Sequence, residues 1–134
     1  IKSLKIIHIH PGLLPYVRGA DGFFWSILTR KKIGLSCFYM NEGLDTGDLI
    51  KTIELPVPKF LCKKVNYLDE KTLYRTIYSF CDPILRAYFL KIILESNVNI
   101  DSWKGKKQDI KKGLTFHFMS KNLQKKVYEK IFSN

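Results

Sequence analysis

The chain has 134 residues, 46% hydrophobic and 13% aromatic, with a formal net charge of +11 from 23 basic and 12 acidic residues. That is enough apolar surface to bury a core, in one domain or part of a larger one. The cysteines Cys37, Cys62 and Cys81 are odd in number and lack CxxC spacing, which argues against a disulfide framework and a zinc site, and no apolar run is long enough to span a bilayer.

The first apolar run, Leu4 to Ile9, is β-branched and short, and reads as a buried strand. It starts almost at once in a chain that begins Ile-Lys-Ser rather than Met, so sequence is expected upstream. Pro11 and Gly12 end the strand, because proline cannot donate to a ladder and glycine permits a sharp turn. Leu13 to Gly19 reads as a loop. A helix is expected from about Ala20 and Asp21, with the acid well placed at its start and Phe23, Phe24, Ile27 and Leu28 as its apolar face. Lys31 and Lys32 lie at its end, where cations suit the helix dipole.

Ile33 to Met40 is the next strand and Leu49 to Leu55 the one after, joined by a short glycine-containing loop and therefore expected to be neighbours in one sheet. Pro56, Pro58 and Lys63-Lys64 mark a connecting segment. Leu68 to Leu94 is helical, with Asp69 as N-cap and Leu73, Ile77, Phe80, Ile84, Leu85, Tyr88 and Leu94 as its apolar stripe. Pro83 lies inside it, so a kink or two successive helices are expected. Asn97 to Gly113 reads as a lysine-rich loop, Leu114 to Met119 as a short strand, and Lys121 to Phe132 as a last helix capped by Ser120. This order of strands and helices fits an α/β domain with helices packed on a sheet. The boundaries expected are a catalytic-domain part over 1–95 and a basic extension over 96–134.

Three features carry chemistry. His8 and His10 alternate along the first strand and so share a face. Arg18-Gly19 follows the loop after them. Gly43-Leu44-Asp45-Thr46-Gly47-Asp48 puts two acids in a glycine-bounded turn. Separately, each has a plain structural explanation. Two histidines and an aspartate would also suit a metal triad, but nothing else in the sequence resembles a metal site and no metal is expected.

In series, His10-Pro11-Gly12-Leu13-Leu14-Pro15, Arg18-Gly19-Ala20-Asp21, Phe24-Trp25 and Gly43-Leu44-Asp45-Thr46-Gly47-Asp48 closely resemble the formyltransferase family that uses 10-formyltetrahydrofolate. That family includes methionyl-tRNA, glycinamide ribonucleotide and sugar N-formyltransferases. The resemblance is strong over about Leu4 to Leu55 and weak as far as Glu95. It implies a three-layer, Rossmann-like α/β sheet whose amino-terminal half is missing from this chain. It also implies a one-carbon transferase with 10-formyltetrahydrofolate as formyl donor; a cytoplasmic location is expected from the cysteines, which read most simply as reduced thiols.

The family's Asn-x-His pair and later aspartate fall on His8, His10 and Asp45, so histidine stands at position 8 where the family has asparagine. The catalytic residues expected are His10 and Asp45 with His8. Leu14, Gly43, Leu44 and Asp45 are expected at the folate, and Arg18 at an anionic substrate, since its planar fork matches such groups. Asp48 is expected to be a turn residue, and Phe24 and Trp25 to belong to the core. The acceptor expected is a small, anionic amine, an amino sugar for example. The positive field attracts such anions, and RNA as well. Two rivals are a catalytically impaired formyltransferase-like fragment and a basic nucleic-acid-binding module using Lys104 to Lys112 and Lys125-Lys126. No membrane partner is expected, and a homodimer is compatible with the apolar residues Phe116, Phe118 and Phe132 near the end.

Overall fold

The computed structural model describes residues 4–61 and 68–133. The Lys63-Lys64 pair and Cys62 lie outside the described residues.

The first strand, β1 (Ile7–His10), is followed by a short β2 (Val17–Gly19), helix α1 (Gly22–Arg30) and the long strand β3 (Lys32–Tyr39). Then come β4 (Leu49–Pro56) and β5 (Phe60–Leu61). The strands β1, β3 and β4 form one antiparallel sheet in the order β1-β3-β4, with Ile9 opposite Cys37 and His10 opposite Ser36. β3 is the central strand. Ile33, Leu35, Cys37 and Phe38 are all buried in it, and a run apolar on both faces is what a covered strand requires. The neighbouring placement of β3 and β4 agrees with the sequence.

The segment 17–19 is not plain loop. It pairs in parallel with β6 (Leu114–Phe116), from the far end of the chain. Nothing local predicts this, because a three-residue strand is made by its partner.

Helix α1 buries Phe23, Phe24 and Ile27, each worth roughly 1.5–3 kcal/mol. Phe24 is fully buried. Trp25 stacks on Phe116 at 4.6 Å between ring centroids, and its indole N–H donates to the His117 carbonyl at 2.8 Å.

Asp21 does not cap this helix. It stands at φ 54, in the left-handed region, and its side chain makes no capping bond. Its carboxylate turns inward instead. It accepts from the hydroxyls of Tyr74 (2.9 Å) and Tyr78 (2.6 Å) and from the Met119 N–H (2.6 Å). One buried acid thus ties three distant segments together.

The long helical stretch is α2 (Glu70–Thr76), a π-helical turn (77–81) and α3 (Asp82–Ser96). Asp69 caps α2 by accepting from the Thr72 N–H at 3.0 Å. Pro83 follows the π-turn in a backbone that stays helical through Cys81 and Asp82, the Asp82 N–H reaching back five residues to the Ile77 carbonyl, so the expected irregularity is taken up by that wider turn. The expected apolar stripe is only partly right. Leu73 and Ile77 are buried, but Phe80, Ile84 and Tyr88 are exposed, and Phe89 and Ile93 fill the core in their place. A π-turn holds more residues per turn than an α-helix. It therefore shifts the inward face by about one position, and an unbroken 3.6-residue count runs out of phase.

After two 3₁₀ turns and β6, the last helix α4 (Lys121–Ile131) leads into β7 (Phe132–Ser133), which pairs in parallel with β5. Ser120 precedes α4 but makes no side-chain capping bond. Trp103, Met119, Val127, Tyr128 and Ile131 pack into the same buried cluster as Phe23, Phe24 and Leu35. Among the described residues no helix is long and apolar enough to cross a membrane.

Candidate active site

β1 ends on His10, which is 3% exposed. Its Nε2 lies 2.9 Å from the Val17 carbonyl oxygen. A carbonyl only accepts, so in the neutral ring the proton is on Nε2 and Nδ1 carries a lone pair. That Nδ1 faces Asp45 Oδ2 at 3.5 Å. Two acceptor atoms facing each other repel unless something positive comes between them. The site is thus built to take up a positive charge at Nδ1.

The loop after β1 makes this orientation possible. A side-chain carbon on Gly12 would sit 2.6 Å from His10 Nε2 and 2.7 Å from the Val17 oxygen. Only glycine leaves room for that hydrogen bond. Gly12→Ala is expected to push the imidazole off Val17 and to cost about 1–3 kcal/mol of stability. Chemical denaturation measures the cost, and the Nε2 proton in nitrogen NMR reports the lost bond. Ser36, fully buried on β3, holds the loop from below: its hydroxyl donates to the Gly12 carbonyl (2.7 Å) and accepts from the Leu14 N–H (2.9 Å).

Asp45 comes from the β3–β4 turn and stands at φ 55, a left-handed conformation that aspartate tolerates better than most residues. Its Oδ2 accepts from the Gly19 N–H at 2.8 Å, so the parallel β2–β6 pair positions the acid. The turn is also held from the carboxyl-terminal segment, since the Gln108 side-chain amide donates to the carbonyls of Asp45 (3.1 Å) and Gly47 (2.5 Å). The sequence reading did not find Gln108. A glutamine in a lysine-rich loop carries no local signal for a contact 63 residues away.

Burial pushes the His10 imidazole below its usual value, outweighing the attraction of Asp45 and the bond to Val17, both of which raise it. The resting ring is therefore neutral at neutral pH.

His8 shares a face of β1 with His10, their ring centroids 6.4 Å apart, and its ring meets Phe38 edge-on at 5.6 Å. It lines a pocket of about 130 Å³ together with Phe38, Met40, Asn41, Gly43, Leu44 and Asp45. Leu44 is 62% exposed at its mouth, whereas Leu14 is 2% exposed, does not line it, and belongs to the interior. Beneath β1, α3 brings in the buried Asp82, which is ion-paired with Arg86 one helical turn on. Burial raises the Asp82 carboxyl, and Arg86 opposes that.

Arg18 is turned away from the pocket's lining residues. It donates to the carbonyls of Pro15, Ile110 and Gly113 and to the Thr115 hydroxyl, four bonds from the five N–H groups of a guanidinium. At 8% exposure it staples the loop after β1 to the segment before β6. Asp48 serves its turn through the backbone, its carbonyl accepting from the Tyr39 N–H.

The family model for formyl transferase matches residues 1–73, more than half of the chain. The chain belongs to the formyl transferase family. It is 43% identical over 56 residues to the methionyl-tRNA formyltransferase of Syntrophus aciditrophicus (strain SB), a match covering 41% of this chain and 18% of that enzyme. The chain thus spans about a fifth of the length of that curated relative. Among solved structures, it resembles a 4-N formyltransferase from Francisella tularensis at 23% identity and a TM-score of 0.54, over 85% of this chain and 41% of that one. It also resembles WlaRD, a sugar 3N-formyl transferase solved in the presence of dTDP and 5-N-formyl-THF, at 19% identity and a TM-score of 0.56, over 83% of this chain and 36% of that one. These likenesses establish the fold: the α/β architecture is that of formyltransferases, of which this chain covers a part.

Proposed function

We propose that the protein transfers a formyl group from 10-formyltetrahydrofolate to an amine, with His10 as the acid–base group. The observation that carries this reading is the buried, neutral His10, with its bare Nδ1 aimed at Asp45. The folate would supply the activated formyl carbon, and WlaRD was solved with a related formylated folate, 5-N-formyl-THF, present.

The attacking amine must lose a proton as its nitrogen bonds to carbon. His10 Nδ1 accepts that proton, and the imidazolium so formed is held by the carboxylate 3.5 Å away. The same proton then goes to the leaving folate nitrogen as the carbon–nitrogen bond breaks. His8, at the pocket wall, offers an N–H to the oxygen on which negative charge develops, the task an asparagine amide performs in the family pattern. Gly43, Leu44 and Asp45 border the formyl end of the folate. The pocket's 130 Å³ is well below the roughly 300–1,000 Å³ of sites that enclose a whole ligand. It suits the reacting end only.

The acceptor we favour is an anionic amine such as a nucleotide-linked amino sugar, which the +11 charge would draw in. The test is transfer from 10-formyltetrahydrofolate to a panel of amino sugars, glycinamide ribonucleotide and methionyl-tRNA, using the full-length polypeptide that carries these residues. Transfer to one acceptor supports the reading. A folded protein that neither binds folate nor transfers formyl to any of them ends it. In the same assay, His8→Asn is expected to keep activity within about tenfold, because one donor replaces another. A gain of a hundredfold or more would show that His8 impairs the site.

A further inference from the structure

The geometry points to a divalent transition-metal site formed by His8, His10 and Asp45. Each of the three presents one ligand atom, and these atoms all lie within 4.8 Å of one another. Two imidazoles and one carboxylate are the donor set that holds Zn²⁺, Co²⁺ or Fe²⁺ while leaving positions open. Hard cations such as Mg²⁺ and Ca²⁺ prefer an all-oxygen shell, which this cluster does not offer.

Three features suit the site to metal rather than to chance proximity. The His10 Nε2–H is committed to the Val17 carbonyl, the outer-shell bond that orients a ligating histidine and leaves its other nitrogen bare. Asp45 is likewise held by the Gly19 N–H on Oδ2, which fixes the carboxylate and leaves that oxygen a second lone pair toward His10. The bare Nδ1 and the carboxylate stand 3.5 Å apart, close to the roughly 3.4 Å that separates two ligands of a tetrahedral ion with bonds of about 2.1 Å. The remaining adjustment falls to His8, which is only half-buried and rests edge-on against Phe38. The cluster adjoins the pocket that His8 and Asp45 line.

Position 8 decides the matter. The family pattern has asparagine there, a poor ligand for these ions. In this chain histidine completes a triad from a site otherwise built for proton transfer. A metal on Nδ1 excludes a proton from the same atom, so metal binding and acid–base work compete. The site is tested by binding alone, whether or not the protein transfers formyl groups.

The experiment is a titration of the metal-free chain with Co²⁺, read by its visible d–d absorption and by calorimetry. One Co²⁺ per chain is expected, with absorption typical of four- or five-coordination. His8→Asn and Asp45→Asn should each weaken binding at least tenfold, while His117→Ala, at the exposed third histidine, should leave it unchanged. Circular dichroism establishes that each variant is folded. If His8→Asn does not fold, His8→Gln, which keeps the side-chain bulk, carries the same expectation. A folded chain that takes up no Co²⁺ overturns the site. So do His8 and Asp45 variants that bind as the parent does, or binding that is lost with His117.

Discussion

Replacing His10 with Gln is expected to lower the turnover of formyl transfer by about 10²–10⁴-fold, the range over which a positioned acid–base group acts. Glutamine keeps a donor for the Val17 carbonyl but has no basic nitrogen to face Asp45, so the loss should fall on kcat rather than on KM. The pH profile separates a proton-transfer role from a structural one. Burial holds the His10 imidazole below 6.5, its unperturbed value. The rate should therefore be level around neutrality and fall on the acid side, at a pH below 6.5, as the ring becomes protonated before it can accept. Stability runs in the same direction. Between the lowered folded value and 6.5, the unfolded chain binds more protons than the folded one, so stability rises with pH across that window. The contribution is fully present above 6.5 and lost as pH falls through the folded value. His10→Gln should flatten this dependence. An unchanged kcat, or an unaltered pH profile in the variant, would remove His10 from the reaction.

The largest loss of stability should come from Asp21, which is outside the pocket. Asp21→Ala leaves the hydroxyls of Tyr74 and Tyr78 and the Met119 amide without their shared acceptor, and Asp21 itself is only 6% exposed. Unmet donors of this kind cost about 1–3 kcal/mol each, so a total of about 3–5 kcal/mol is expected after relaxation. The left-handed backbone at residue 21 adds to the penalty in alanine. Asp21→Asn keeps one acceptor oxygen and tolerates that backbone, and should lose roughly half as much. Urea denaturation measures both. Equal losses in the two variants would mean that the charged carboxylate accounts for the whole effect and that the left-handed backbone adds nothing. The tyrosines report the same knot independently. Burial and the neighbouring Asp21 push the Tyr74 hydroxyl up to about 12, and Asp21→Asn should bring it down.

Much of this was legible in the chain. The motifs from His10 through Asp48 identify the family because each turn residue answers a local requirement. Proline and glycine end a strand, and aspartate and glycine make the turn between β3 and β4. The β3–β4 hairpin, the cap at Asp69 and the break near Pro83 follow from the same short-range chemistry. Each depends on residues within a few positions of one another.

The remainder depended on partners far away in the chain. Arg18 reads as an exposed, anion-seeking side chain until residues 110–115 come alongside and supply three of its four oxygen acceptors, the fourth being the nearby Pro15 carbonyl. Asp21 reads as a helix cap until two tyrosines and the Met119 amide close on it. The inward face after residue 77 could not be counted at a fixed period, because Pro83 announces an irregularity but not that it is a π-turn, which changes the residues per turn. Local pattern thus singled out His8, His10 and Asp45, the three residues whose side chains the fold brings together. Tertiary structure alone decided their state. Burial made His10 neutral, the Val17 carbonyl chose its tautomer, and the Gly19 amide set the carboxylate opposite the bare nitrogen. Sequence specifies side-chain chemistry directly, but desolvation and the aim of a lone pair exist only once distant segments have packed together.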